Sequence, residues 1–172
     1  MSADAFGVAL GFATPPLIDQ TLRQAADSYA DTEKAEFLLW TALKADEECL
    51  GSYFSLYKFY FYKRMLPQAE EVALLGLETA ARQGGFSPDW TQLDAQSADW
   101  KRVDAPQHFY LFTLKALAFM RLRLGRPHES QELLTKLQEI DPGDTVGASV
   151  IRDLALNATV HHGALDSRAS LE

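Results

Sequence analysis

The sequence predicts an all-α protein made of antiparallel helical hairpins, and the stretch Leu50–Lys63 at its centre is the main reason. Apolar side chains there cover nearly every face of a helix, which is typical of a helix buried between neighbours. Its aromatic residues favour a strand by propensity alone. The length of the stretch, the Leu-rich amphipathic run that follows, and Pro67 as a first-turn residue favour a helix instead. We therefore predict helices near 50–64 and 67–83, ending at Gly84-Gly85.

Helical spacing of apolar residues also recurs on both sides of this central hairpin. A first hairpin is expected at about 16–48, with Asp31 capping its second helix. A third is expected at about 106–142, where Gly125 ends one helix and Pro127 begins the next. Asp144 then precedes a final amphipathic helix, at about 145–158. Its expected apolar stripe consists of Val146, Val150, Ile151, Leu154 and Leu156.

The remaining segments lack a helical period. Residues 1–13 are predicted to form an N-terminal arm, and residues 160–172 a disordered tail. An insertion at about 84–105 contains Trp90 and Trp100, and we expect one or both to pack against the helical body. Its aspartates lack the glycine and the ligand spacing of a calcium loop, so they are interpreted as solvated carboxylates.

Length, charge and cysteine content limit the classes of function. A chain of 172 residues that is 47% hydrophobic can bury one core, or the core of a short repeat array. A formal net charge of −8 argues against non-specific nucleic-acid binding. No apolar run approaches the roughly 20 residues of a membrane span, and the N-terminus is a poor signal peptide. Cys49 is the single cysteine, which excludes an internal disulfide and a Cys-based zinc site and favours a cytoplasmic location.

The three hairpins align with one another at regular offsets. The first and second match from Pro16 and Leu50, which are 34 residues apart. The third matches from Leu111, a further 61 residues along, which corresponds to 34 plus an insertion of 27. The third hairpin has small or apolar residues at fixed positions and a turn glycine, and a proline closes it. These positions are Ala118, Gly125, Ser130, Leu134, Ile140 and Pro142.

This pattern resembles the tetratricopeptide repeat, with one good repeat and two degenerate ones over roughly residues 16–144. The second hairpin departs from the family pattern at Tyr57, where a small residue is usual, and at Gly76. The resemblance implies a short right-handed superhelix of stacked hairpins, closed by the final helix as a cap. The alternative is an unrelated helical bundle with accidental spacing.

In the family that the chain resembles, the first helices of successive hairpins line a concave groove for a partner peptide or helix. Position by position, the resemblance assigns an aromatic groove with a few cations to the second and third hairpins. Its partner-binding residues are Phe54, Lys58, Phe61, Tyr62, Phe112, Lys115, Phe119 and Arg123. Alternatively, the insertion or a second copy of the chain buries these aromatic residues. Gln20 and Gln24 replace the Lys and Asn of the family's carboxylate clamp, which argues against recognition of a chaperone's acidic tail.

Enzymatic motifs are absent from the sequence. It has no glycine-rich phosphate loop, no Ser-centred elbow and no His-Glu-x-x-His pair. Cys49 with His108 is the only pair resembling a nucleophile and its base, and a lone thiol is more often a small core residue. We therefore expect no enzyme activity, no cofactor and no metal.

The sequence favours a cytoplasmic adaptor or chaperone that binds a protein or peptide partner, with neither nucleic acid nor membrane as a partner. Two alternatives remain within binding and structural roles. One is a homodimer that uses the aromatic helix as its interface. The other is resemblance to the small three-repeat chaperones of bacterial secretion systems.

Overall fold

A computed structural model describes residues 13–157, and it confirms the predicted all-α fold, because these residues form helices and turns but no strand. The predicted arm, apart from Ala13, and the predicted tail lie outside the described residues. The helices are α1 (Pro16–Asp27), α2 (Thr32–Ala45), α3 (Leu50–Tyr62), α4 (Leu66–Gly84), α5 (Pro106–Arg123) and α6 (Pro127–Ile140). Residues 149–157 form a further helix, α7. No helix in the described range is both long and apolar enough to cross a bilayer.

The helices begin and end at the residues that local chemistry favours. The Asp31 carboxylate caps α2 by accepting a hydrogen bond from the Lys34 N–H at 3.1 Å. Gly85 ends α4 in the left-handed region, at φ 72°, where its N–H donates to the carbonyl of Ala81. Pro67 lies in the first turn of α4, where backbone N–H groups have no acceptor within the helix, so the N–H that proline lacks is not needed.

The aromatic helix α3 is buried on nearly all sides. Ten of its 13 residues are buried, and it packs between α2 and α4 while also contacting α1 and α5. The polar end of Tyr60 has two partners: its hydroxyl donates to Glu36 Oε1 at 2.5 Å and accepts from Trp40 Nε1 at 2.8 Å. Burial on several sides therefore outweighs the strand propensity of the aromatic residues.

Helix α4 lies at the centre of the packing and makes its most extensive contacts with α3 and α5. Gly76 allows this close approach. A Cβ atom at that position would lie 3.1 Å from both the Phe109 ring and the Cβ of Tyr53. The residue that departs from the repeat pattern thus has a packing reason, because it makes room for a phenylalanine of the next hairpin.

The second and third hairpins turn with the same backbone geometry. Arg64 and Gly125, at equivalent positions, both adopt positive φ, at 62° and 74°. The next residue in each turn donates its backbone N–H to a carbonyl five residues earlier. Met65 donates to Tyr60 at 2.8 Å, and Arg126 donates to Arg121 at 2.9 Å. The 61-residue offset found in the sequence is therefore also an offset between matching turns.

The insertion packs against the body through its second tryptophan, as expected. Trp100 is buried, with its ring centroid 5.1 Å from that of Phe86 and 6.1 Å from that of Tyr110. Its Nε1–H donates to the Asp94 carbonyl at 2.9 Å. On the other side, Lys136 of α6 donates to the Leu93 carbonyl at 2.5 Å. Trp90, in a short 3-10 helix (Trp90–Gln92), is half-buried against the core.

The final helix differs from its prediction in start and in buried face. Residues 145–148 form turns instead, and two carboxylates stabilise them. Asp141 accepts a hydrogen bond from the Val146 N–H, and Asp144 accepts from the Ser149 N–H and hydroxyl. The expected apolar stripe is wrong, since Val150 is 62% exposed and Leu154 47%. Ala155 is the buried residue of the helix itself and Ile151 is half-buried, while Val146 and Ala148 are buried just before the helix begins. Small side chains at this spacing allow close packing of α7.

Candidate functional site

Helices α3 and α5 present matching sets of side chains on adjoining faces. Each has two phenylalanines seven positions apart with a lysine between them, which places all three side chains on one face of a helix. The sets are Phe54, Lys58 and Phe61 on α3, and Phe112, Lys115 and Phe119 on α5. The rings pair across the two helices. Centroids lie 5.7 Å apart for Phe54 and Phe112, and 5.4 Å apart for Phe61 and Phe119.

These pairs form the wall of an open cleft with a volume of about 260 Å³. Its buried residues are Phe54, Tyr57 and Met120, whereas Phe61, Phe112 and Phe119 are half-buried and Tyr62 is 48% exposed. Ile151 of α7 closes one side. The residues that line the cleft are Phe54, Tyr57, Lys58, Phe61, Tyr62, Phe112, Lys115, Ala116, Phe119, Met120 and Ile151.

Lys58 is a cation held against aromatic rings. Its Nζ lies 5.2 Å from the ring centroid of Phe54 and 5.9 Å from that of Tyr62. Burial lowers the pKa of Lys58 below its ordinary value, because the surroundings disfavour the charged form. Within residues 13–157 no carboxylate pairs with this ammonium and no oxygen accepts a hydrogen bond from it. Lys58 therefore has no hydrogen-bonding or ionic partner among the residues that the structure describes.

Lys115 serves the fold as well as the cleft. Its Nζ donates to the carbonyl of Val146 at 2.5 Å and lies 4.4 Å from the ring centroid of Phe112. Burial lowers the pKa of Lys115, and the negative charge of Asp144 partly opposes this shift. The hydrogen bond ties the loop before α7 to α5, so Lys115 helps to fix the wall that Ile151 provides.

The structure brings seven of the eight residues predicted for the groove into this one cleft. The eighth, Arg123, is exposed near the end of α5, where its guanidinium lies 5.9 Å from the Phe119 ring but does not line the cleft. No residue of the first hairpin lines the cleft. Leu17, for example, is 77% exposed on α1.

Four lining residues were absent from the sequence-based set, namely Tyr57, Ala116, Met120 and Ile151. The first three lie one position, or one helical turn, from predicted residues, so the helical period could have found them. Ile151 could not be found in this way, because its place depends on how α7 returns to α5. No residue of the 84–105 insertion lines the cleft. The alternative in which the insertion buries the aromatic groove is therefore wrong.

The groups considered for metal binding do not cluster in the described part of the chain. Cys49 is a buried free thiol at the start of α3. No group of three His, Cys, Asp or Glu side chains in residues 13–157 is arranged to hold a metal ion. The aspartates of the insertion organise its own loop, as where Asp89 accepts from the Thr91 N–H and hydroxyl.

Comparison with known proteins identifies one curated relative and leaves the family open. The chain is 28% identical over 132 residues to an uncharacterized 19.8 kDa protein in the nifW 5′ region of Azotobacter chroococcum mcd 1. The match covers 76% of this chain and 73% of that protein. No family model matches the sequence, and no solved structure matches it.

Proposed function

We propose that the chain is a protein–protein interaction module, acting as a cytoplasmic adaptor or chaperone rather than as an enzyme. In this proposal its hairpins are degenerate tetratricopeptide repeats, and the cleft between α3, α5 and α7 holds a segment of a partner protein. The observation that carries the proposal is the cleft itself: paired, partly exposed phenylalanines surround a lysine that has no partner in the described residues.

The composition of the cleft supports a protein partner. Aromatic anchors in a desolvated pocket with few charges are characteristic of binding hot spots. Pockets for small ligands usually measure roughly 300–1,000 Å³. The cleft, at about 260 Å³, lies just below this range, and a few side chains would fill it. The wall is also rigid, since Phe54 is buried and its own helix, α3, packs on several other helices.

The test compares capture of partners by cleft variants and by matched controls. Tagged wild-type protein, Phe119→Ala and Lys58→Glu are incubated with native lysate, and captured proteins are identified by mass spectrometry. Phe37→Ala and Lys34→Glu make the same chemical changes on α2, at exposed residues outside the cleft. Circular dichroism checks that each variant is folded.

We expect the purified partner to bind the cleft variants at least about tenfold more weakly, which corresponds to about 1.4 kcal/mol, and to bind both controls like wild type. Equal binding by all five proteins would contradict the proposal.

A homodimer is the second candidate, and the exposure of Tyr62 beside the half-buried Phe61 and Phe119 favours it. A second copy would remove these rings from water. Sedimentation of the wild type and of Phe119→Ala distinguishes the two candidates. A dimer that this substitution dissociates supports the homodimer, whereas a monomer at all concentrations excludes it.

A further inference from the structure

The two phenylalanine pairs of the cleft are separated by one fixed distance. Phe54 and Phe61 are seven residues apart on α3, as are Phe112 and Phe119 on α5. At 1.5 Å per residue, this spacing corresponds to about 10.5 Å along each helix. Lys58 lies between the pairs on the α3 side. The cleft therefore presents an apolar contact, a cation and a second apolar contact in a line.

The charge of the cleft is opposite to that of the molecule. The chain has a formal net charge of −8, yet neither Asp nor Glu is among the residues lining the cleft. Lys115 is already hydrogen-bonded to Val146, whereas Lys58 lies against the Phe54 and Tyr62 rings and has no polar partner among residues 13–157. An occupant that brings a carboxylate to the centre of the cleft would supply the partner that the described chain lacks.

This pattern favours a helix over an extended segment. In an α-helix, residues i and i+7 share a face and are about 10.5 Å apart, with i+3 and i+4 between them on that same face. In a strand, residues about 10 Å apart are three positions apart and point to opposite faces. In a polyproline helix they share an edge, but the residues between them point elsewhere.

We propose that the cleft binds an amphipathic helix of a partner protein, with apolar side chains at i and i+7 and a carboxylate at i+3 or i+4. The apolar side chains pack on the Phe54–Phe112 and Phe61–Phe119 pairs, and the carboxylate pairs with Lys58. The inference rests on the proposed function and specifies the partner of the same cleft.

The probe is a labelled, Ala- and Gln-based helical peptide with Leu at i and i+7 and Glu at i+4, measured by fluorescence anisotropy. Three comparison peptides replace Glu by Gln, replace Glu by Lys, or move the second Leu to i+5. We expect the Glu peptide to bind about fivefold tighter than the Gln peptide and more tightly still than the Lys peptide. The shifted peptide should lose about tenfold in affinity, because only one Leu then meets a phenylalanine pair.

Variants of the protein locate the effect. Lys58→Glu should reverse the order of the Glu and Lys peptides, and Lys58→Gln should abolish their difference. Lys34→Glu, on the outer face of α2, changes the net charge equally and should preserve the wild-type order. Lys58→Gln keeps the test valid if the charge reversal impairs folding.

The outcomes separate this inference from the proposed function. If peptides bind without preference for charge or spacing, the helix motif is wrong. If no peptide binds but a native partner still depends on Phe119, the motif is again wrong and the interaction module stands. If neither peptides nor partners depend on the cleft, the proposed function fails too. A dimer that Phe119→Ala dissociates would show a second copy as the occupant and overturn the inference.

Discussion

Glu70 illustrates how single residues join the hairpins of this protein. Its carboxylate accepts from Arg121 Nε at 2.9 Å and from Arg126 Nη1 at 2.6 Å, and Arg126 also pairs with Glu129. The side chains of Glu70 and Arg121 are each only 13% exposed. This network connects α4 to α5 and to the turn before α6, and it is better shielded from water than an ordinary surface ion pair.

We predict that Glu70→Ala lowers the free energy of unfolding by about 1–2 kcal/mol, because the shielded Arg121 and the partly exposed Arg126 lose their shared carboxylate. Urea denaturation measures the change. The control is Glu48→Ala, which removes an exposed pair with Arg82 and should have a much smaller effect. Equal losses from the two variants would contradict a special role for Glu70.

The turns of the second and third hairpins provide a matched pair of residues. Arg64 and Gly125 share positive φ, but only glycine adopts this region without a steric cost. We predict that Arg64→Gly raises the free energy of unfolding by about 0.5–1 kcal/mol and that Gly125→Ala lowers it by about 1 kcal/mol. Chemical denaturation of both variants measures the changes. Destabilisation by Arg64→Gly would mean that the arginine side chain contributes more than its backbone strain costs.

The limits of sequence reasoning are clearest at the scale of residues. The resemblance to the repeat family assigned Phe54, Lys58 and Phe61 to one groove, and these three residues line one cleft. The resemblance could not show that Lys115 would donate to Val146 instead of remaining unpaired, because that contact depends on a loop 31 residues further along the chain. Side-chain partners across elements need the tertiary structure.

Among the elements, the insertion has a structural role that can be separated from the cleft. Trp100 is its buried anchor between Phe86 and Tyr110, and no residue of the insertion lines the cleft. We predict that Trp100→Ala lowers the free energy of unfolding by about 3 kcal/mol, since it leaves a large cavity. Partner affinity, measured where the variant is still folded, should remain unchanged. A large loss of affinity would instead connect the insertion to binding.

Helix positions were more predictable than helix faces. Pro67, Gly85 and Asp31 fix helix ends through local chemistry, which the sequence displays directly. The buried face of α7 was predicted incorrectly because hydrophobicity alone favoured its large residues. Its packing instead uses alanines at 148 and 155, and only the proximity of the neighbouring helices explains this preference.

For the whole molecule, several carboxyl groups make stability depend on pH. A hydrogen bond from Arg126 lowers the pKa of Glu129, and a hydrogen bond from the Ser149 hydroxyl lowers the pKa of Asp144. Burial raises the pKa of Glu70, but hydrogen bonds from Arg126 and Arg121 outweigh it, so that this pKa is also lowered. In the unfolded chain these groups titrate near their ordinary values of 4.5 for Glu and 3.8 for Asp.

Folding therefore gains from these carboxylates above about pH 5, and the gain is lost as the pH falls through their lowered folded-state pKa values. We predict that the melting temperature decreases steadily below about pH 5. In Glu70→Gln the decrease should be shallower, because one of the contributing groups no longer titrates. Thermal melts between neutral pH and pH 3 measure both, and identical slopes would exclude a contribution from Glu70.

The cleft as a whole was predictable where it follows from repetition. The repeat positions assigned residues of α3 and α5 to one groove. The ring pairs Phe54–Phe112 and Phe61–Phe119 are 58 residues apart rather than 61, so the repeat could not show which rings meet. The contribution of Ile151 and the absence of the insertion from the cleft were not predictable, because neither belongs to the repeat.

The position of the insertion between the two walls has a further consequence. Helix α3 precedes it and α5 follows it, so each half of the chain holds one phenylalanine of every pair. A single cut at its exposed residues 94–96 would leave two fragments, each with an incomplete binding surface. If the two fragments reassociate through α4 and α5, the cleft is restored. Binding of a ligand by the mixed fragments would then measure how well they complement each other.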